Sequence, residues 1–115
     1  MDVMKKKHRK LVVDGREYAW AGDWVHVNGR RVVRIRAWFK TEDDRKAGPK
    51  LAVNLVGRGG GMVDTSAARP RDARDAIVFA QTQGWTPEGR GTFWLRPAMG
   101  FALEGFDVIE PDAPS

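Results

Sequence analysis

The stretch Pro70-Arg71-Asp72-Ala73-Arg74-Asp75-Ala76-Ile77-Val78-Phe79-Ala80-Gln81-Thr82-Gln83-Gly84-Trp85-Thr86-Pro87, continued by Glu88-Gly89-Arg90-Gly91-Thr92-Phe93-Trp94-Leu95, decides the fold class. Ala73, Ala76, Ile77 and Ala80 recur at i, i+3, i+4 and i+7, the spacing of one apolar stripe on a helix. The pattern predicts a helix over about 70–83. Pro70 is tolerated in the first turn and Asp72 suits the positive end of the dipole. Gly84 is a natural C′ residue and Pro87 prevents continuation. Phe79 falls at the edge of the stripe. Val78 falls on the far side with Arg71, Asp75 and Thr82, and Arg71 and Asp75 are spaced to pair at i, i+4. The small stripe residues predict a close approach to a sheet. Thr92–Arg96 then reads as a strand, with Phe93 and Leu95 on one face and Trp94 on the other.

Upstream of the helix the chain reads as strands. Asp14-Gly15 is a two-residue hairpin signal, because both turn positions need positive φ. That turn sets Val13 opposite Arg16, Leu11 opposite Tyr18 and Arg9 opposite Trp20. Leu11, Val13, Tyr18 and Trp20 then share the core face. Asn28-Gly29 repeats the signal and joins a strand near Trp24–Val27 to a long strand, Arg30–Lys40. Trp24 should face Val33 and Val25 should face Val32. Val33, Ile35, Ala37 and Phe39 line one face of the long strand; Arg34, Arg36, Trp38 and Lys40 line the other. Residues 41–49 read as a charged turn. Leu51, Val53 and Leu55 alternate in a further strand to about Val56. Gly57-Arg58-Gly59-Gly60-Gly61 reads as a flexible connector, and Phe101–Leu103 with Phe106–Ile109 as a broken edge strand. The fold class is therefore α+β: an antiparallel sheet of about five or six strands built from hairpins, with one main helix packed on one face. Residues 1–9 read as a basic flexible tail, 10–109 as a single domain and 110–115 as a frayed C-terminal tail.

Composition bounds the rest. At 115 residues there is room for one domain and not for two. Hydrophobic residues at 42% argue against global disorder. Five tryptophans exceed what a small core needs, so one or two fill the core and the others sit at a rim or on a surface. The net charge of +5 favours polyanionic partners, nucleic acid or an acidic protein, by long-range attraction. Part of that charge is the run Lys5-Lys6-Lys7-His8-Arg9-Lys10. With no cysteine, disulfides, thiolate catalysis and Cys-ligated zinc are excluded. The basic start lacks the apolar segment of a secretory signal, and no apolar run approaches the roughly 18 residues of a membrane span. A soluble cytoplasmic protein is the expectation.

The order helix, Gly84-Trp85-x-Pro87, then a strand containing Phe93, together with the opening pattern Leu11–Trp20, resembles a loose group of small uncharacterised bacterial α+β proteins. In that group a Thr-Pro pair opens the helix; here Arg69-Pro70 stands instead. The resemblance implies the fold and a bacterial origin. It brings no activity and no site residues.

Few residue constellations carry chemistry. His26 is expected on a strand, and nothing in the sequence orders it with Thr65 or Ser66 and an acid as a triad would require. Glu42-Asp43-Asp44 lacks a spaced partner for a divalent ion and reads as a solvated turn. The glycine run at 57–61 lacks the Gly-Lys-Ser/Thr of a phosphate loop. No catalytic, cofactor or metal site is expected. The face that alternates Arg34, Arg36, Trp38 and Lys40 remains, joined by Arg30, by Val25, Val27 and Val32, and by Arg58 in the glycine connector. One helix covers one side of a sheet, which leaves this side open. Arg and Trp on an open sheet grip phosphates and stack on bases. The expected function is a small non-catalytic module whose basic face and basic tail (Lys5, Lys6, Lys7, Arg9 and Lys10) engage a polyanion such as single-stranded nucleic acid. The alternative is a protein-interaction module, a homodimer or an inhibitor or immunity-type partner of another bacterial protein, since Trp and Arg are also enriched at interfaces.

Overall fold

Two hairpin turns set the register of the sheet. In the computed structural model, which describes residues 8–41, 46–58 and 67–111, Asp14 and Gly15 have φ of 51° and 81°, and Asn28 and Gly29 have 52° and 79°. Positive φ at both central residues is what the twist of a two-residue hairpin requires. The turns join β1 (Arg9–Val13), β2 (Arg16–Val27) and β3 (Arg30–Lys40). The pairs Val13–Arg16, Leu11–Tyr18, Arg9–Trp20, Trp24–Val33 and Val25–Val32 all form as the sequence predicts. The expected strands Arg16–Trp20 and Trp24–Val27 are one: β2 runs unbroken through Gly22, where an added Cβ would stand 2.9 Å from the Ala68 side chain.

β4 (Lys46–Gly57) is longer than alternation alone predicts, so residues 46–49 belong to a strand and not to a turn. Ala37 pairs with Leu51 but Phe39 pairs with Ala47, so β4 carries two extra residues between those pairs. Gly48 and Pro49 fall there. Proline has no amide to give a ladder, and an irregularity of this kind is where a strand tolerates it.

α1 (Pro70–Thr82) follows, with Asp72, Ala73, Ala76, Ile77 and Ala80 buried. The alanine stripe lets the helix lie close against β1, β3 and β4. Arg69 at the N-cap offers no capping side chain; Asp72 supplies the missing acceptor, taking the Arg69 backbone N–H at 2.9 Å and its guanidinium at 3.1 Å. The ion pair raises the Arg69 pKa, the Asp72 hydrogen bond being the larger cause. The expected Arg71–Asp75 pair does not form, because the Arg71 guanidinium reaches Glu104 at 3.0 Å.

β5 (Thr92–Trp94), a 3-10 turn (Pro97–Met99) and β6 (Phe106–Ile109) complete the chain. β5 pairs with β4 in parallel and β6 pairs with β4 antiparallel, so the sheet is mixed and the expectation of a purely antiparallel one is corrected. The reason is the helix. A strand, a helix running back along the sheet and a second strand return the chain in its original direction, which gives parallel neighbours. β5 lies against residues 50–52 of β4 and β6 against residues 54–57, sharing one edge end to end.

The core lies between the helix and one sheet face. Tyr18, Trp20, Val33, Ile35, Phe39, Leu51, Val53 and Leu55 meet Ala73, Ala76, Ile77, Trp85 and Leu95 there. Trp20 and Trp85 are the buried tryptophans; Trp38 and Trp94 are half-buried and Trp24 is exposed. No helix among the described residues is long and apolar enough to cross a membrane. Lys5, Lys6 and Lys7, the acidic run at 42–44, Gly59 to Ser66 and the end of the C-terminal tail lie outside the described residues.

Candidate functional site

The face of the sheet turned away from α1 follows from register. Arg34 stands opposite Asp23 on β2 and Asn54 on β4; Arg36 stands opposite Ala21 and Ala52. Ala52 in turn faces Trp94 of β5, and Asn54 faces Ile109 of β6. Five strands therefore contribute side chains to one continuous surface.

Among the described residues, two hollows open on it. The first, of about 400 Å³, has an apolar wall of Val25, Val27, Ile109 and Trp94 and a polar side of Asn28, Asn54 and Arg30. The second, of about 380 Å³, lies among His8, Ala21, Asp23, Trp38 and Lys50. Arg34 and Arg36 line both, and so form the ridge between them. Each hollow thus holds one tryptophan and shares two guanidinium groups.

The two arginines sit differently. Arg34 makes a two-pronged ion pair with Asp23, Nε to Oδ1 at 2.8 Å and Nη2 to Oδ2 at 2.9 Å, and its pKa is raised chiefly by that hydrogen bonding. Arg36 donates from Nη1 to the Ile35 and Val53 carbonyls at 2.9 and 3.3 Å, and from Nη2 to Asn54 Oδ1 at 3.1 Å. All three acceptors are neutral. Its guanidinium also lies 5.0 Å from the centroid of the Trp94 ring. Burial lowers its pKa to about 10, with the Arg34 charge adding to the effect and Asp23 partly opposing it. It remains a cation at neutral pH, held against its desolvation cost. Asn54, 5% exposed, is the buried polar side chain that fixes it.

The other expected site residues are distributed less tightly. Trp38 lines the second hollow, with the His8 ring 4.8 Å away between centroids. Lys40 ends β3 and lines neither hollow. Arg30 lines the first. Arg58 lies just past β4, donating its backbone N–H to Gly105 and its Nε to Asp107 at 2.9 Å, outside both hollows. Of the basic tail, Arg9 and Lys10 belong to β1: Arg9 packs over the Trp20 ring and Lys10 pairs with Glu17 at 3.6 Å. Val32, expected exposed, is buried between its neighbours, while Val25 and Val27 are half-buried.

Trp94, Asn54, Ile109, Asp23 and Lys50 belong to the face, and sequence reasoning did not include them. Alternation places Asn54 on it once Leu51, Val53 and Leu55 are assigned inward. One further step along the hairpin from Trp24–Val33 puts Asp23 beside Arg34. Trp94 and Ile109 need the pairing of β5 and β6, which no local pattern encodes.

The comparisons with known proteins place the chain in no group: no family model, no curated protein and no solved structure matches it. The functional reading therefore rests on this geometry.

Proposed function

We propose that the sheet face turned away from the helix is a non-catalytic binding surface for single-stranded nucleic acid. The observation that carries this reading is Arg36, a partly buried cation hydrogen-bonded to three neutral oxygens on a ridge between two tryptophan-bearing hollows. Among the described residues Arg36 makes no ion pair, Asp23 being taken up by Arg34, and a phosphate would supply one. Trp38 and Trp94 on either side offer rings to unstacked bases, a sequence-tolerant contact because every base has a π face. The net charge of +5 adds long-range attraction, and Lys5-Lys6-Lys7 precede His8, whose ring lies tilted against Trp38. A nucleic-acid partner and a chain without cysteine both fit a cytoplasmic location.

The test is a titration with mixed-sequence single-stranded RNA and DNA, followed by tryptophan fluorescence at low and at physiological salt. Quenching that persists at physiological salt, and that Arg34→Glu with Arg36→Glu abolishes, is the expected result. Binding seen only at low salt, or left unchanged by the double replacement, defeats the reading and leaves tail electrostatics.

A second reading, a protein-interaction module, is favoured by a different feature. Trp24 is 47% exposed on the opposite face, beyond the helix, with the Arg31 guanidinium 4.0 Å above its ring and His26 edge-on at 5.2 Å. Exposed Trp and Arg are the commonest anchors of protein interfaces. A homodimer through this cluster would appear in light scattering, and Trp24→Ala would return it to monomer.

A further inference from the structure

We infer that the first hollow is a pocket for a single nucleotide: one base leaves the strand and packs against Trp94 and the valine wall, and its phosphate sits on Arg36. This inference rests on the nucleic-acid reading and narrows it to one subsite.

The two hollows share the arginine ridge but differ in chemistry. The second holds a carboxylate, Asp23, and a lysine. A phosphate over that side meets Asp23 as well as the cations. No acidic side chain is among the described residues that line the first; it joins Val25, Val27, Ile109 and Trp94 to Arg30 and Arg36, with Arg34 beside them already paired to Asp23. An apolar wall with convergent cations at one side suits a ligand with a flat apolar body and an anionic end. That is the shape of a nucleoside monophosphate.

Size agrees. At about 400 Å³ the hollow lies within the roughly 300–1,000 Å³ of small-molecule sites. It is too large for one phosphate and suits one nucleotide better than a folded segment. The Arg36 guanidinium lies over the Trp94 ring, so an incoming base meets the guanidinium plane first and the indole beside it, and both groups stack with bases. The amides of Asn28 and Asn54 line the same hollow as polar groups for a base edge. Three strands and a turn hold these groups, so little ordering remains to be done on binding.

The probe is adenosine 5′-monophosphate, with inorganic phosphate as control. The readout is the set of tryptophan indole N–H signals in a nitrogen–proton correlation spectrum of the full chain. The expected result is a saturable shift of the Trp94 signal with the nucleotide, not reproduced by phosphate at the same concentration. Trp94→Ala should weaken single-stranded RNA by about tenfold, in the range for losing one stacked base. Because Trp94→Ala disturbs a short strand, Val27→Trp serves as a second variant. It fills the hollow while leaving Arg34, Arg36 and Trp94 in place, and should block the nucleotide and weaken RNA alike. If RNA binds at physiological salt but neither variant weakens it, the pocket is wrong and the surface reading stands. An equal shift with phosphate alone also overturns the base pocket. If RNA does not bind at all, the surface reading fails first, and the nucleotide titration then decides whether the hollow takes free nucleotides.

Discussion

The Trp85 indole N–H donates to the Pro49 carbonyl at 3.0 Å, which ties the end of the helix to the irregular start of β4. The ring is 2% exposed and packs on Phe39 at 4.1 Å and Tyr18 at 5.8 Å between centroids. Trp85→Phe keeps most of the ring but removes the donor, and should cost about 1–3 kcal/mol. Trp85→Ala should cost about 3–5 kcal/mol. Urea unfolding measures both, with the midpoint falling and the slope unchanged.

Beside that tie, Gly48 has φ of 73°, and a Cβ there would stand 2.6 Å from the Pro87 carbonyl oxygen. Gly15 has a comparable φ of 81° with nothing within 4 Å. Gly15→Ala therefore measures the left-handed penalty alone, about 1–2 kcal/mol. Gly48→Ala adds a backbone clash and should lose about 2 kcal/mol more, in the range of overpacking. Equal losses in thermal unfolding would show that the Pro87 loop yields freely.

Arg36 should be dispensable for folding when it is removed together with its partner. Arg36→Met alone strands the buried Asn54 amide oxygen, so its gain and its loss nearly cancel. Arg36→Met with Asn54→Leu removes the desolvated cation and its acceptor together. It should raise stability by about 1–2 kcal/mol at pH 7, less than the full pKa shift implies because water still screens the group. The same double variant should lose nucleic-acid binding, and denaturation and titration of one sample check both outcomes.

Asp23 neutralises Arg34. Asp23→Asn should release that guanidinium to a phosphate, tighten single-stranded RNA and steepen the dependence of log affinity on log salt by about 0.7. A salt titration of the variant beside the parent reads the slope directly.

Above pH 10 two groups act in opposite directions. Burial raises the Tyr18 pKa above its ordinary 10.0, so the folded chain holds its proton longer and stability falls as pH rises through that range. Arg36 has a folded pKa of about 10, well below the ordinary guanidinium value, so above pH 10 the unfolded chain holds more protons and stability rises with pH. Tyr18→Phe removes the falling component. Its urea midpoint should decline less than the parent's from pH 9.5 to 11.5, although the variant starts lower for want of the hydrogen bond from Gln81.

Local chemistry made most of this fold legible. Asp14-Gly15 and Asn28-Gly29 each admit one register, so the partners along β1, β2 and β3 follow by counting from the turn. The alanine-rich helix stripe followed from its period, and alternation put Arg34, Arg36 and Trp38 on the face away from it. What was not legible depends on elements far apart in the chain. The parallel pairing of β5 with β4 follows from where the helix lies. The reach of β4 back to Lys46 depends on an irregularity around Pro49, a residue that locally argues against a strand. The charge state of the face also needed three dimensions. Arg36 reads in the sequence as one more exposed arginine; Asn54 and Trp94, contributed by two other strands, make it a half-buried one.

The single edge of β4 shared by β5 and β6 sets an order of assembly. Residues 9–57 pair through near neighbours and can zip up as soon as they leave the ribosome, because local contacts close first. The outer edge of β4 then waits, unpaired, until residues 92–109 have been made and have returned past the helix. During that interval a nascent chain presents an open strand that another copy can join. Chaperone demand during synthesis should therefore begin once β4 is complete and end when residues 92–109 have returned, and chains stalled before residue 92 should be the form that aggregates.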